Sequence, residues 1–88
     1  MRPRRNGKIH SLSPHRVFLK VLRKTRKGAG LTQVQLATKV GETQTFISKC
    51  ERGEWRIDVI ELRTICQAMG LTLKEFAAAL DKAMGRQK

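Results

Sequence analysis

The chain has 88 residues, 40% of them hydrophobic, which allows one domain with one modest core and leaves no room for a second. Tyr is absent and aromatic residues are 5% of the chain, so a large aromatic ligand pocket is not expected. Nineteen Lys and Arg against seven Asp and Glu give a formal net charge of +12, and ten of the basic side chains fall in residues 1–30, which carry no acidic one. Such an imbalance points to a polyanion or an anionic surface as partner. No apolar run approaches the ~18 residues of a membrane span, and Val17-Phe18-Leu19 is cut by Lys20, so neither a membrane partner nor a signal-peptide core is expected. The expected compartment is the cytoplasm, with both cysteines reduced.

Residues 1–12, MRPRRNGKIHSL, lack apolar periodicity and carry four basic side chains, a Pro and a Gly; they read as a disordered basic arm. An Arg-rich arm reaches along a DNA groove or backbone, or merely raises net charge, and composition leaves both open. Ser13-Pro14 marks a helix start, with Ser as N-cap and Pro at the first helical position. That helix is expected to run to about Lys27, with Val17, Phe18, Val21, Leu22 and Thr25 facing inward. Its last two turns collect Lys20, Arg23, Lys24, Arg26 and Lys27, where the helix dipole favours cations. Gly28-Ala29-Gly30 ends it, and Leu31 turns back toward the core.

Thr32 and Gln35 have capping-box spacing and open a short helix to Val40, with Leu36, Ala37 and Val40 on one face. Gly41 follows the last apolar residue, where a helix end needs a residue that accepts positive φ. Thr43 caps a second short helix, whose buried face is Ile47 and Cys50 with Phe46 beside them. The link from Val40 to Thr43 is too short to wander, so the two helices must cross steeply, and Ala37 is small where they come closest. That is a helix-turn-helix unit.

Beyond Gly53 a connector, Glu54-Trp55-Arg56-Ile57, leads to Asp58 as N-cap with Glu61 three residues on. A fourth helix, Val59 to Met69, carries the stripe Val59, Leu62, Ile65, Cys66, Met69, and Gly70 stops it. Thr72 caps a fifth helix with Glu75 in place; Leu73, Phe76, Ala77, Leu80 and Met84 form its stripe. Gly85 and residues 86–88 read as a frayed tail, leaving a single domain over 13–84. No strand candidate and no internal repeat is present, so the expected fold is an all-α, five-helix orthogonal bundle.

The run from Gln33 to Arg52 resembles the DNA-binding motif of the phage repressor and Cro family, the XRE-type or lambda-repressor-like regulators. Gln33, Leu36, Ala37, Gly41, Ile47 and the exit Glu51-Arg52-Gly53 carry the likeness, which spans about Arg26 to Leu80. It implies that Arg26 pairs with Glu51, a partly buried ion pair fixing the first helix against the third.

In a helix-turn-helix the second helix enters the major groove and its exposed N-terminal residues face base edges. Gln44, Thr45 and Lys49 line the edge opposite Ile47 and Cys50, with Ser48 alongside, and the family's base-reading positions fall on the first three. Gln pairs with adenine, Lys donates to guanine, and Thr bonds or offers its methyl to thymine. Gln33 and Thr43 stand at helix N-termini, which attract phosphate, and Arg52 and Arg56 are further phosphate candidates. Trp55 packs against the fourth helix or against a sugar. Phe46 is bulkier than a DNA-facing edge expects, and either packs toward the neighbouring helix or touches thymine methyls.

Cys50 and Cys66 fall on core stripes and need no further role. His10 and His15 have no metal-ligand spacing with another His or Cys. No paired carboxylates, nucleophile elbow or Gly-rich phosphate loop is present, so neither an enzyme nor a cofactor or metal site is expected. The leading expectation is a sequence-specific double-stranded DNA-binding regulator, a repressor, acting as a homodimer, with Ala77-Ala78-Ala79 serving a dimer contact or close packing within the monomer. The alternative is an antitoxin-like interaction module that binds a toxin partner through its last helix or basic arm. A third reading is non-specific coating of nucleic acid by the arm.

Overall fold

The computed structural model describes residues 13–85; the basic arm expected over 1–12, and tail residues 86–88, lie outside the described residues. Five helices follow in order: α1 Ser13–Gly28, α2 Gln33–Val40, α3 Gln44–Arg52, α4 Val59–Ala68 and α5 Leu73–Gly85. No strand occurs among the described residues. No helix among them is long and apolar enough to cross a membrane.

Local chemistry accounts for these boundaries. Thr32 Oγ1 accepts from Gln35 N at 3.0 Å while Thr32 N donates to Gln35 Oε1 at 2.9 Å. Asp58 with Glu61 and Thr72 with Glu75 repeat the same reciprocal cap at α4 and α5. Each cap satisfies backbone donors that a helix start would otherwise leave unpaired, worth about 1 kcal/mol apiece. At the other ends, α1 to α4 all stop on a glycine with positive φ: Gly30, Gly41, Gly53 and Gly70. The residue after each glycine donates back into the last turn, as Glu42 N does to Ala37 O at 2.9 Å. The carbonyls of four helix ends are thereby satisfied and the chain is reversed within two residues.

Short links between short helices force them to cross rather than run alongside. α1 packs on α3 and α5, α2 on α3 and α4, and α4 on α5. They enclose a core of Leu22, Leu36, Ala37, Ile47, Ile65, Cys66, Met69 and Phe76. Phe76 meets Phe18 edge to face with centroids 6.0 Å apart, tying α5 to α1. Full burial of each large side chain contributes about 1.5–3 kcal/mol.

Two positions expected on inward stripes are exposed. Val59, the first residue of α4, is 59% exposed; the core contacts in this region come from Ile57 before the helix and Leu62 within it. Ala77 is exposed because Phe76 occupies the inward direction and the next residue points roughly 100° away around the helix. The helix expected to fray at Gly85 includes that residue.

Candidate nucleic-acid interface

Gly41, in the left-handed region at φ 73°, closes α2, and two residues later Thr43 opens α3 by accepting from Phe46 N at 3.1 Å. Ala37 is almost fully buried and lets the two helix backbones come close. The inner edge of α3 is Ile47, Cys50 and Glu51, all buried, while Gln44, Thr45 and Lys49 are exposed on the other side. Ser48 is half-buried and its hydroxyl accepts from Arg52 Nη1. Thr45 and Lys49 side chains make no hydrogen bond or ion pair among the described residues.

Gln44 is tied into the molecule by a relay of side chains. Its Nε2 donates to Gln33 Oε1 at 2.7 Å, and Gln33 Nε2 donates to Glu51 Oε1 at 3.0 Å. Glu51 in turn receives Arg26 Nε at 2.7 Å on Oε2 and Arg26 Nη2 at 3.0 Å on Oε1. Arg26 Nη1 donates to Leu31 O at 2.9 Å. Both charges are buried, so the bidentate geometry and the extra hydrogen bonds are what make the pair tolerable. The pair joins α1 to α3, and through Gln33 it also holds the start of α2. Gln33, expected as a phosphate contact, is half-buried with both ends of its amide engaged. Sequence alone does not reveal that bridge. Its trace is only that Gln33 and Gln44 are the first residues of two helices which the turn brings together.

The remaining candidates differ in how free they are. Thr43 serves as a cap, which leaves its hydroxyl proton able to donate. Arg52 is held by Glu54 in an exposed two-pronged ion pair, and the hydrogen bond to Glu54 is the main cause of its raised pKa. Arg56 is exposed and makes no hydrogen bond or ion pair among the described residues. Trp55 Nε1 donates to Glu61 Oε1 at 3.3 Å, and its ring packs edge to face on Phe46 at 5.4 Å. Phe46 also packs against the core. Both rings thus brace α3 against α4. Burial pushes the Cys50 thiol up to about 12, helped by the carboxylates of Glu61, Glu51 and Glu42, and burial alone pushes Cys66 to about 11. Neither is a nucleophile at neutral pH.

Two capped helices joined by a three-residue reversal, Gly41 to Thr43, with the second presenting a polar edge, define a DNA-binding helix-turn-helix regulator. Comparison with known proteins agrees. A family model described as Helix-turn-helix matches residues 22–76. Among solved structures, an XRE-family like protein from Pseudomonas syringae pv. tomato str. DC3000 is 35% identical, with 85% of this chain and 90% of that one covered and a TM-score of 0.75. No curated protein matches. The chain belongs to the XRE family of helix-turn-helix proteins, and its bundle is lambda-repressor-like.

Proposed function

We propose that this protein is a sequence-specific double-stranded DNA-binding repressor that reads the major groove with α3. The observation that carries the reading is the division of α3 into a buried edge of Ile47, Cys50 and Glu51 and an exposed edge of Gln44, Thr45 and Lys49. Lys49 donates to a guanine and Thr45 contacts a neighbouring base, each good contact contributing ~1–3 kcal/mol of discrimination. Gln44 uses one amide hydrogen on Gln33, which leaves the other hydrogen and its oxygen for an adenine edge. Ser48 sits at the margin of this surface. Thr43, Arg56 and the first turn of α2 at Gln33 hold the backbone on either side and set register, while Arg52 beside them is held by Glu54. The protein acts in the cytoplasm as a homodimer. Ala77, Ala78 and Ala79 are exposed on α5, which supports a contact between copies over close packing within one.

The test is selection of binding sites from a random duplex pool with the wild-type protein, Gln44→Ala and Lys49→Ala. Each substitution is expected to relax preference at particular base pairs and leave the rest of the consensus standing. An unchanged consensus with both variants would remove α3 as the reading element.

A further inference from the structure

The C-terminal end of α3 contains an arrangement that bears on how Arg52 meets DNA. Gly53 takes the left-handed conformation at φ 81°, and Glu54 N donates back to Lys49 O at 2.9 Å. This turn brings the Glu54 carboxylate onto the guanidinium two residues earlier. Arg52 Nε donates to Oε2 at 2.9 Å and Nη2 to Oε1 at 3.1 Å, while Nη1 is taken by the Ser48 hydroxyl. Every nitrogen of the guanidinium has a partner. The edge that would clasp two phosphate oxygens is already filled by two carboxylate oxygens in equivalent positions.

We propose that Glu54 is an internal counterion that competes with DNA phosphate for Arg52, and so sets how much this arginine adds to affinity and to its salt dependence. The inference rests on the regulator reading and deepens it by distinguishing two arginines that sequence alone treats alike. A cation that neutralises a backbone phosphate releases about 0.9 of a condensed counterion. Held by Glu54 on two of its nitrogens, Arg52 neutralises no phosphate and releases no counterion, and a phosphate that takes it must first displace the carboxylate. The gain from that contact is therefore largely cancelled. Arg56, exposed and without an ion pair among the described residues, is the internal reference for an uncompensated contact.

The experiment measures the slope of log affinity against log salt on a duplex recovered by selection. It compares wild type, Arg52→Ala, Glu54→Gln, the double variant and Arg56→Ala. Expected are a slope flattened by about one in Arg56→Ala, nearly unchanged in Arg52→Ala, steepened by about one in Glu54→Gln, and returned to wild type in the double variant. Thermal unfolding should be close to wild type in all, since both partners are surface side chains. Two results would overturn the proposal. One is Arg52→Ala flattening the slope as much as Arg56→Ala does; the other is Glu54→Gln steepening it equally with and without Arg52, which would mean a general field effect. In either case wild-type binding survives and the regulator reading stands. Loss of all salt-dependent binding by the wild type would sink both.

Discussion

Arg26 illustrates how much of this molecule hangs on single side chains. Its guanidinium satisfies Glu51 and Leu31 at once, and the same carboxylate anchors Gln33 and, through it, Gln44. Removing one partner of a buried pair strands the other charge, which costs about 3–5 kcal/mol. An 88-residue chain has about 4–13 kcal/mol to lose, at about 0.05–0.15 kcal/mol per residue. Arg26→Ala is therefore expected to lower the urea midpoint severely. Replacing both residues, as Arg26→Met with Glu51→Leu, should recover most of the stability, because no charge is left buried. The double variant is still expected to bind DNA less selectively at the base pair proposed for Gln44, since Gln33 has lost its acceptor. Full stability with unchanged selectivity would show that the relay does not position Gln44.

The two thiols give a second prediction at this scale. Both are raised above the ordinary value of 9.0, Cys50 to about 12 and Cys66 to about 11. At pH 8 the folded protein should resist alkylation, and both cysteines should react once it is unfolded in denaturant. As pH climbs past 9, unfolded thiols ionise while the folded ones stay neutral, so their contribution to stability is intact below 9 and is lost between 9 and the folded values. A cysteine that alkylates in native protein at the rate of a free thiol would show that its side chain is not closed off.

At the scale of elements, the helices were largely legible because their ends are written in short-range chemistry. Thr32 with Gln35, Thr43, Asp58 with Glu61, and Thr72 with Glu75 mark starts, and glycines mark stops. What could not be read were contacts that depend on side-chain direction: Arg52 onto Glu54, Phe46 against Trp55, and Gln33 between Glu51 and Gln44. Periodicity also placed Val59 and Ala77 inward, since it reports the face of a helix and not how far its neighbours extend over that face. Gly41 offers a direct test of the stop signals. A Cβ placed there would meet nothing within 4 Å, so substitution removes no space and breaks no contact. The cost is the left-handed backbone alone. Gly41→Ala is expected to destabilise by about 1–2 kcal/mol, and Gly41→Asn by less, because Asn tolerates that region. Equal unfolding midpoints for Gly41, Ala and Asn would show that the turn relaxes to another conformation.

For the whole molecule, the proposed homodimer raises the question of how two copies would share one site on DNA. The described fold measures about 33 × 28 × 20 Å. Half-sites read from one face of a duplex lie about 34–36 Å apart, one helical turn. Two molecules of this girth standing on neighbouring half-sites are therefore nearly in contact, and a small-residue face such as Ala77–Ala79 suits an approach of that kind. Cooperative binding should then depend on spacing as strictly as the geometry does. Inserting about five base pairs between half-sites turns the second copy to the opposite side of the duplex. Inserting about ten restores the face but sets the centres roughly 70 Å apart, farther than two such molecules can bridge. Footprint titrations are expected to lose cooperativity with both insertions while each isolated half-site keeps its own affinity. Cooperativity that survives the longer insertion would place the contact between copies outside the five-helix bundle.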